Sequence, residues 1–275
     1  MTGRQRKQFW GTVHTALILI AMFVMLVPII WIFLAAFKSH VDVYQLKLFF
    51  TPTLENFGIV FDDPYRLGQK LFNSTIVALV TVVIAIPIAT LAAYSFSRFS
   101  LKGETMMLVI ILATQFVPAV VIILPFFVMF RDVGLLDTRL GLILVNLAIV
   151  MPFAIWMIKG FIDGIPMDTE EAAMVDGSSR MQVIRNIVLP MAAPGLLTSG
   201  IFCFIIAWNE FLFALILTNK NAVTLPIGLA LFKGEEGDLW NLLSAAGIII
   251  MAPMFVLALM IRKYFVQGMT MGAVR

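Results

Sequence analysis

Glu210 is the residue whose type and setting first suggest chemistry. It stands beside Trp208 and Asn209 inside an apolar run, and an ionisable group there is costly unless it faces a cavity or a partner. A flat apolar ring, an amide and a carboxylate side by side can hold a sugar, the ring against its face and the polar groups on its hydroxyls. The same carboxylate can equally be a structural hydrogen bond that fixes its helix to a neighbour. Asn73, Ser74, Gln115 and Asn146 are polar residues in other apolar runs and carry the same two readings. Metal and thiol chemistry have little to work with. His14 and His40 are far apart, and Cys203 is alone in an apolar run, so no metal-ligand set and no disulfide framework is expected. A membrane enzyme would need a cluster of His, Asp, Glu or Cys, and the sequence has none.

A second group of acids lies in a polar stretch. Asp168, Glu170 and Glu171 fall in what should be the first turn of a helix, where negative charge suits the helix dipole. Asp168 can cap that helix, with Glu171 three residues on to answer the free amide. Ala172 and Ala173 let another surface approach the backbone closely. Asp176 precedes Gly177, which permits the chain to bend out of the helix. A helical pattern resumes from Met181 to Leu189, and Pro190 and Pro194 stop it. The pattern predicts a short helix pair lying at a membrane surface.

The elements that must position these residues are apolar. Hydrophobic residues make up 61% of the 275 and charged residues 13%, against about half and a quarter in soluble domains. Apolar runs at 13–37, 71–95, 106–130, 140–158, 196–218 and 242–261 each have roughly the 17–25 residues that cross a hydrocarbon core. They must be helical, because lipid offers no partner to free amides. The expected fold is all-α and polytopic, with six transmembrane helices in a single domain over 1–275 and membrane lipid around it. The first run follows Arg4, Arg6 and Lys7 but is too long for a secretion signal, so it reads as an uncleaved span. With the N-terminus inside, the inner segments hold eleven Lys and Arg and the outer ones eight, which favours both termini inside. Pro28, Pro87, Pro118, Pro125, Pro152 and Pro253 fall within the runs. They are either ordinary membrane-helix prolines or kinks around a cavity. The net charge of +3 gives no basic face for nucleic acid.

Glu171-Ala172-Ala173, three residues, Gly177, nine residues, Ile187, one residue and Leu189-Pro190 resemble the EAA signature of bacterial ABC import permeases at every spaced position. Further stretches are similar to the carbohydrate-uptake branch, in particular its maltose-type second permease subunit. They are Ala92 to Phe99, Gly134-Leu135-Leu136-Asp137-Thr138, Trp208-Asn209-Glu210-Phe211 and the ending Gly268 to Arg275. The resemblance implies a type I importer permease fold whose coupling helix, beginning near Asp168, docks into a cytoplasmic ATPase. Glu171 would meet an arginine of that ATPase, and Gly177 would be the bend after the helix. It implies as partners a second permease subunit, two cytoplasmic ATP-binding cassette subunits and a periplasmic or lipid-anchored solute-binding protein. It places the chain in a bacterial or archaeal cytoplasmic membrane, with Gly268 and Gly272 reaching toward the ATPase. Trp208, Asn209, Glu210, Asn73, Gln115 and Asn146 are the candidates for a solute path. No Gly-x-x-x-x-Gly-Lys-[Ser/Thr] loop occurs to cradle ATP phosphates, so ATP and Mg are expected on the partner ATPase and no cofactor on this chain. A secondary transporter or channel-like protein is the alternative. It should show several intramembrane charges or an internal repeat, whereas only Glu210 qualifies.

Overall fold

A computed structural model describes residues 3–234 and 237–271, with side chains described over 10–232 and 239–259. The apolar runs form helices, and the polar stretches between them hold short ones. In chain order the helices are α1 (Gly3–Ala36), α2 (His40–Tyr44), α3 (Glu55–Ile59), α4 (Leu67–Arg98), α5 (Glu104–Ala113), α6 (Ala119–Asp132) and α7 (Arg139–Asp163). There follow α8 (Met167–Val175), α9 (Arg180–Val183), α10 (Leu189–Trp208), α11 (Leu212–Leu217), α12 (Leu225–Ala230) and α13 (Trp240–Met271). A two-residue antiparallel ribbon pairs Lys233 with Asp238. Among the described residues, five helices are long and apolar enough to cross a membrane, and six spans result if the bent pair α5–α6 counts as one.

Three of the expected spans differ in detail. The third run is not a kinked helix but a broken one. Its halves meet at 92°, because Val117 is extended, with ψ 117°, ahead of Pro118 at the cap of α6, and a residue before proline is pushed out of the helical region. The fifth run ends early: α10 starts at Leu189 and stops at Trp208, and α11 restarts at Leu212. The sixth run lies in α13, which continues beyond 261 through Gly268 to Met271, while Gly272 lies outside the described residues.

The chain divides into two compact units, residues 1–67 with 229–253 and residues 68–228 with 254–275. In the first, α1 exposes most of its apolar side chains between Trp10 and Phe33, Phe23 and Met25 among them. After α1 the buried Lys38 donates to the Lys47 carbonyl at 2.6 Å, its ammonium 4.5 Å from the Trp31 ring and 4.9 Å from that of Phe50. The Asn56 amide donates to the Ala36 and Lys38 carbonyls and accepts from Asn241.

The second unit carries the candidate sites. α4 and α7 are parallel, since their beginnings meet where Arg139 donates to Asn73 at 2.8 Å. Their ends meet where Arg98 reaches the Ile162 and Ile165 carbonyls. Parallel neighbours require a return crossing between them, and the broken pair α5–α6 supplies it. Glu104 at its start lies 3.7 Å from Lys159, and Phe130 near its end packs in one buried cluster with Leu142. α10 then runs back along α7, with Gly195 against the Phe161 ring. The two ends of α7 therefore face opposite sides of the apolar layer.

Candidate functional site

The α8 end of the bundle is built around one guanidinium. α8 starts at Met167 after Pro166, whose extended backbone opens the helix without a side-chain cap. Asp168 is thus inside the helix rather than at its cap, and the expected box with Glu171 does not form. The capping box of this region sits one helix later, where the Ser179 backbone N–H donates to Gln182. Glu170 turns into the protein and is buried. It accepts from Arg98 Nε at 2.7 Å and from the Tyr94 hydroxyl at 3.0 Å. Arg98 Nη2 donates to the Ile162 and Ile165 carbonyls, at 2.9 Å each. Ile162 is in the last turn of α7 and Ile165 just past its end, where a cation also suits the helix dipole.

Turning Glu170 inward turns Glu171, Ala172 and Val175 outward. All three are exposed, Val175 at 87%, and Ala173 packs against the core. Asp176 is exposed and ends the helix, and Gly177 follows with φ +89°. A Cβ built there meets nothing within 4 Å, so the glycine is required by its backbone angle and not by space. Beyond it, Ile184–Val188 form a turn of π-helix, a rare form frequent at functional sites. The turn leads directly into Leu189 and Pro190.

The opposite end is held by Asp137, which has φ 55°. Its Oδ1 accepts from the backbone N–H groups of Asn219, Lys220, Asn221 and Ala222 at 3.0–3.1 Å. Thr138 beside it caps α7 by accepting from the Gly141 N–H. Asn73 is fully buried in the same region and has no opening to solute. Its amide donates to the Asn221 and Val223 carbonyls and its oxygen takes Arg139. Ser74 likewise receives the Leu225 N–H. Both tie α4 to the 219–225 segment.

Burial pushes the Asp137 carboxyl up, but the N–H groups of Asn221, Ala222, Asn219 and Lys220 outweigh it and hold the group below its ordinary value of 3.8. A lowered carboxyl contributes stability that is present above the unfolded pKa and lost as pH falls through the folded one. Asp137→Ala should therefore lose about 1.5–3 kcal/mol, the worth of hydrogen bonds to a charged group, at neutral pH. The penalty should shrink as pH falls below the ordinary carboxylate value. Hydrogen exchange of the 219–222 amides at neutral and acid pH checks this, and a penalty independent of pH would contradict it.

Between the two ends, where both helix breaks occur, the second unit forms a half-open cavity of roughly 750 Å³. Its wall is mainly apolar, with Phe126, Ile149 and Phe213 among the lining and Gln115 and Glu210 as polar points. Gln115 Nε2 donates to the Ile149 carbonyl at 3.0 Å, close to Pro152, whose ring opens that stretch of α7. Glu210 lies in the break, not deep in a helix. Its oxygens accept from the Phe213 and Ala214 N–H groups at 2.8 and 3.0 Å, so it caps α11. Each oxygen keeps a further lone pair that a donor in the cavity can use.

The other solute-path candidates do not join Gln115 and Glu210. Trp208 is buried against Phe204, with ring centroids 5.4 Å apart. Asn209 is exposed and outside the cavity lining, its Nδ2 donating to the Ile205 carbonyl. Asn146 is buried on α7 and donates to the Leu142 carbonyl. The helix ends within the Trp-Asn-Glu row, with Trp208 its last residue, Asn209 at the cap and Glu210 in the break, so the three side chains do not share one helix face and only Glu210 lines the cavity. Sequence reasoning noticed Glu170 as a first-turn acid and the stretch from Ala92 to Phe99 by resemblance, but did not join Glu170 to Arg98 and Tyr94. The signal was present: Tyr94 and Arg98 are four residues apart, on one helix face, at the end of an apolar run.

The family model described as binding-protein-dependent transport system inner membrane component matches residues 85–271. The chain is 35% identical over 278 residues to the trehalose transport system permease protein SugB of Mycobacterium tuberculosis, covering 99% of each. It is 34% identical over 254 residues to the trehalose/maltose transport system permease protein MalG of Thermococcus litoralis, covering 91% of each. Its fold is similar to a chain in the crystal structure of a bacterial ABC transporter involved in the import of the acidic polysaccharide alginate. That match has TM-score 0.80 and 26% identity, over 94% of this chain and 98% of that one. With most of its length matched by the family model and nearly all of it by such relatives, the chain belongs to the family of binding-protein-dependent transport system inner membrane components.

Proposed function

We propose that the chain is one of two permease subunits of an ATP-driven importer for a sugar or sugar-like solute. The observation that carries this reading is the outward face of α8. A short helix held firmly from behind presents Glu171, Ala172 and Val175 to an outside partner. The small Ala172 allows close approach, Val175 supplies apolar area, and Glu171 supplies a carboxylate for a cation across the interface. The partner is a cytoplasmic ATPase, present as two copies that bind ATP and Mg. A periplasmic or lipid-anchored binding protein delivers solute to the opposite side, the side of Asp137 and the 219–222 segment. The α8 side is then cytoplasmic, both termini belong to that side, and the end of α13 that carries Gly268 leads to it.

The solute class rests on the cavity and on the relatives. An apolar wall suits the faces of sugar rings, and the remaining lone pairs of Glu210 suit their hydroxyls. Trehalose, maltose and diacetylchitobiose appear in the names of relatives.

The test is purification of the chain with its partner subunits and uptake of trehalose or maltose by vesicles. Co-purification of an ATPase, uptake that needs ATP, and membrane-impermeant labelling from outside of a cysteine at Asp62 but not at Asp176 are expected. ATP-independent uptake, or labelling at Asp176, would overturn the reading.

A further inference from the structure

We infer that Arg98, with Tyr94, is the joint that carries movement of α8 into span α4, and that it positions the coupling segment rather than touching solute or nucleotide. The inference rests on the reading of α8 as the ATPase-docking helix. α8 is joined covalently to α7 through Gly164, Ile165 and Pro166, so a displacement of α8 reaches α7 by the chain itself. α4 has no such link. Its attachment to α8 is the buried ion pair Arg98–Glu170, with side chains 5% and 4% exposed, together with the Tyr94 hydroxyl on the second carboxylate oxygen.

The guanidinium is used along its whole fork. Nε holds Glu170, Nη2 holds the Ile162 and Ile165 carbonyls, and Nη1 holds Ser97. Ser97 in turn donates to Asp163, which also takes Lys159. One side chain of α4 thereby grips both the end of α7 and the first turn of α8. A second grip comes from α9, where the Arg180 guanidinium lies 4.7 Å from the centre of the Phe99 ring, just past the end of α4. Phe99 packs edge-on against Tyr94. Both short helices on the partner-facing side are thus fastened to the same six-residue stretch, Tyr94 to Phe99, and a packed, charge-locked joint moves as a unit rather than deforming.

The geometry separates this role from that of Glu171. Glu171 faces the partner and Glu170 faces the protein, one residue apart on the same turn. Loss of the first should weaken the hold on the partner. Loss of the second should leave that hold intact and cut the transfer to α4.

The experiment uses the assembled complex in proteoliposomes with wild type alongside, and compares Arg98→Lys, Glu170→Gln and Tyr94→Phe. Lysine keeps the charge but gathers its donors on one nitrogen and cannot span the carboxylate and both carbonyls. The ratio of solute taken up to ATP hydrolysed should fall by roughly tenfold or more in Arg98→Lys and Glu170→Gln, with the ATPase still bound in full complement, within the range of coupling energies between sites. Tyr94→Phe removes one hydrogen bond without leaving a charge unpaired. It should lower the ratio by a smaller factor, and it decides the question if the other two variants fail to assemble. An unchanged ratio, or uptake and hydrolysis lost in equal proportion, overturns the joint. A wild-type chain that holds no ATPase overturns the function and the joint together, whereas a working wild type beside variants of unchanged ratio overturns the joint alone.

Discussion

Glu171→Ala should abolish or sharply reduce solute uptake while leaving the chain folded in the membrane. Glu171 is exposed, and no ion pair within this chain is recorded for it among the described residues, so its removal takes nothing from the fold. On the proposed reading its worth lies in the interface with the ATPase. Truncating one partner of a buried, hydrogen-bonded charge pair across an interface costs about 2–5 kcal/mol, or between roughly 30-fold and several thousand-fold in affinity. Much of that cost falls on the partner's cation, left buried without an anion. Gly177→Val should reach the same result by another route. At φ +89° a β-branched residue is strained by about 1–3 kcal/mol, although its side chain would stand in open space. The strain should relax by shifting Asp176 and the end of α8, which moves Glu171 and Val175 off their partner. Purified complexes of both variants, assayed for bound ATPase and for uptake, check this. Full ATPase complement with wild-type uptake in either variant would contradict the role of that residue. Gly177→Asn should be far milder, since asparagine tolerates the left-handed region.

The positions of the spans were legible because hydropathy reports what lipid requires. The backbone breaks inside them were less so. Hydropathy does not register the hydrogen bonds of a helix, so a run holding Val117-Pro118 reads as continuous although the chain turns by 92° there. The same blindness placed Glu210 deep in a span. The sequence held a cue: Asn209 follows an apolar run, where a helix ends readily, and an acid there lies ahead of two residues whose N–H groups a restarted helix must satisfy. A carboxylate that caps α11 is cheaper in an apolar layer than one awaiting solute, because its hydrogen bonds are made at all times.

The acids of the coupling segment show a different limit. Spacing brings Glu170 and Glu171 to notice together, and motif resemblance singles out Glu171. Only tertiary packing says which of two neighbours on a helix turns inward. The answer depends on Arg98, which is more than seventy positions away along the chain. Asp137 is a similar case. Its place in Gly134-Leu135-Leu136-Asp137-Thr138 marks it by resemblance, but four successive backbone donors from residues 219–222 cannot be read from side-chain types at all.

Gly195→Ala should produce the second large effect, on stability, and a second substitution should reverse it. At Gly195, α10 packs closely against α7. A Cβ at Gly195 would lie 2.2 Å from Cγ, 2.4 Å from Cδ2 and 2.7 Å from Cβ of Phe161. These atoms sit near the root of the Phe161 side chain, so a small change at its tip gives no relief. Either the ring leaves its rotamer or the two helices part. Overpacking of this kind costs about 1–3 kcal/mol, occasionally more. Phe161→Ala alone should also destabilise, because it empties a site packed against α10. The double variant should recover most of the first loss, since the new methyl then occupies space the ring has vacated. The measured coupling should therefore be favourable by about 0.5–3 kcal/mol. Phe161 and Gly195 stand just before and just after the stretch that includes α8, α9 and the π-helical turn, so parting them should also loosen the frame on which Glu171 is presented. Thermal unfolding of the purified chain in detergent for wild type, both single variants and the double variant gives the cycle. Additive losses would mean that the ring and the glycine do not meet, and would remove the contact that holds the two ends of the coupling segment together.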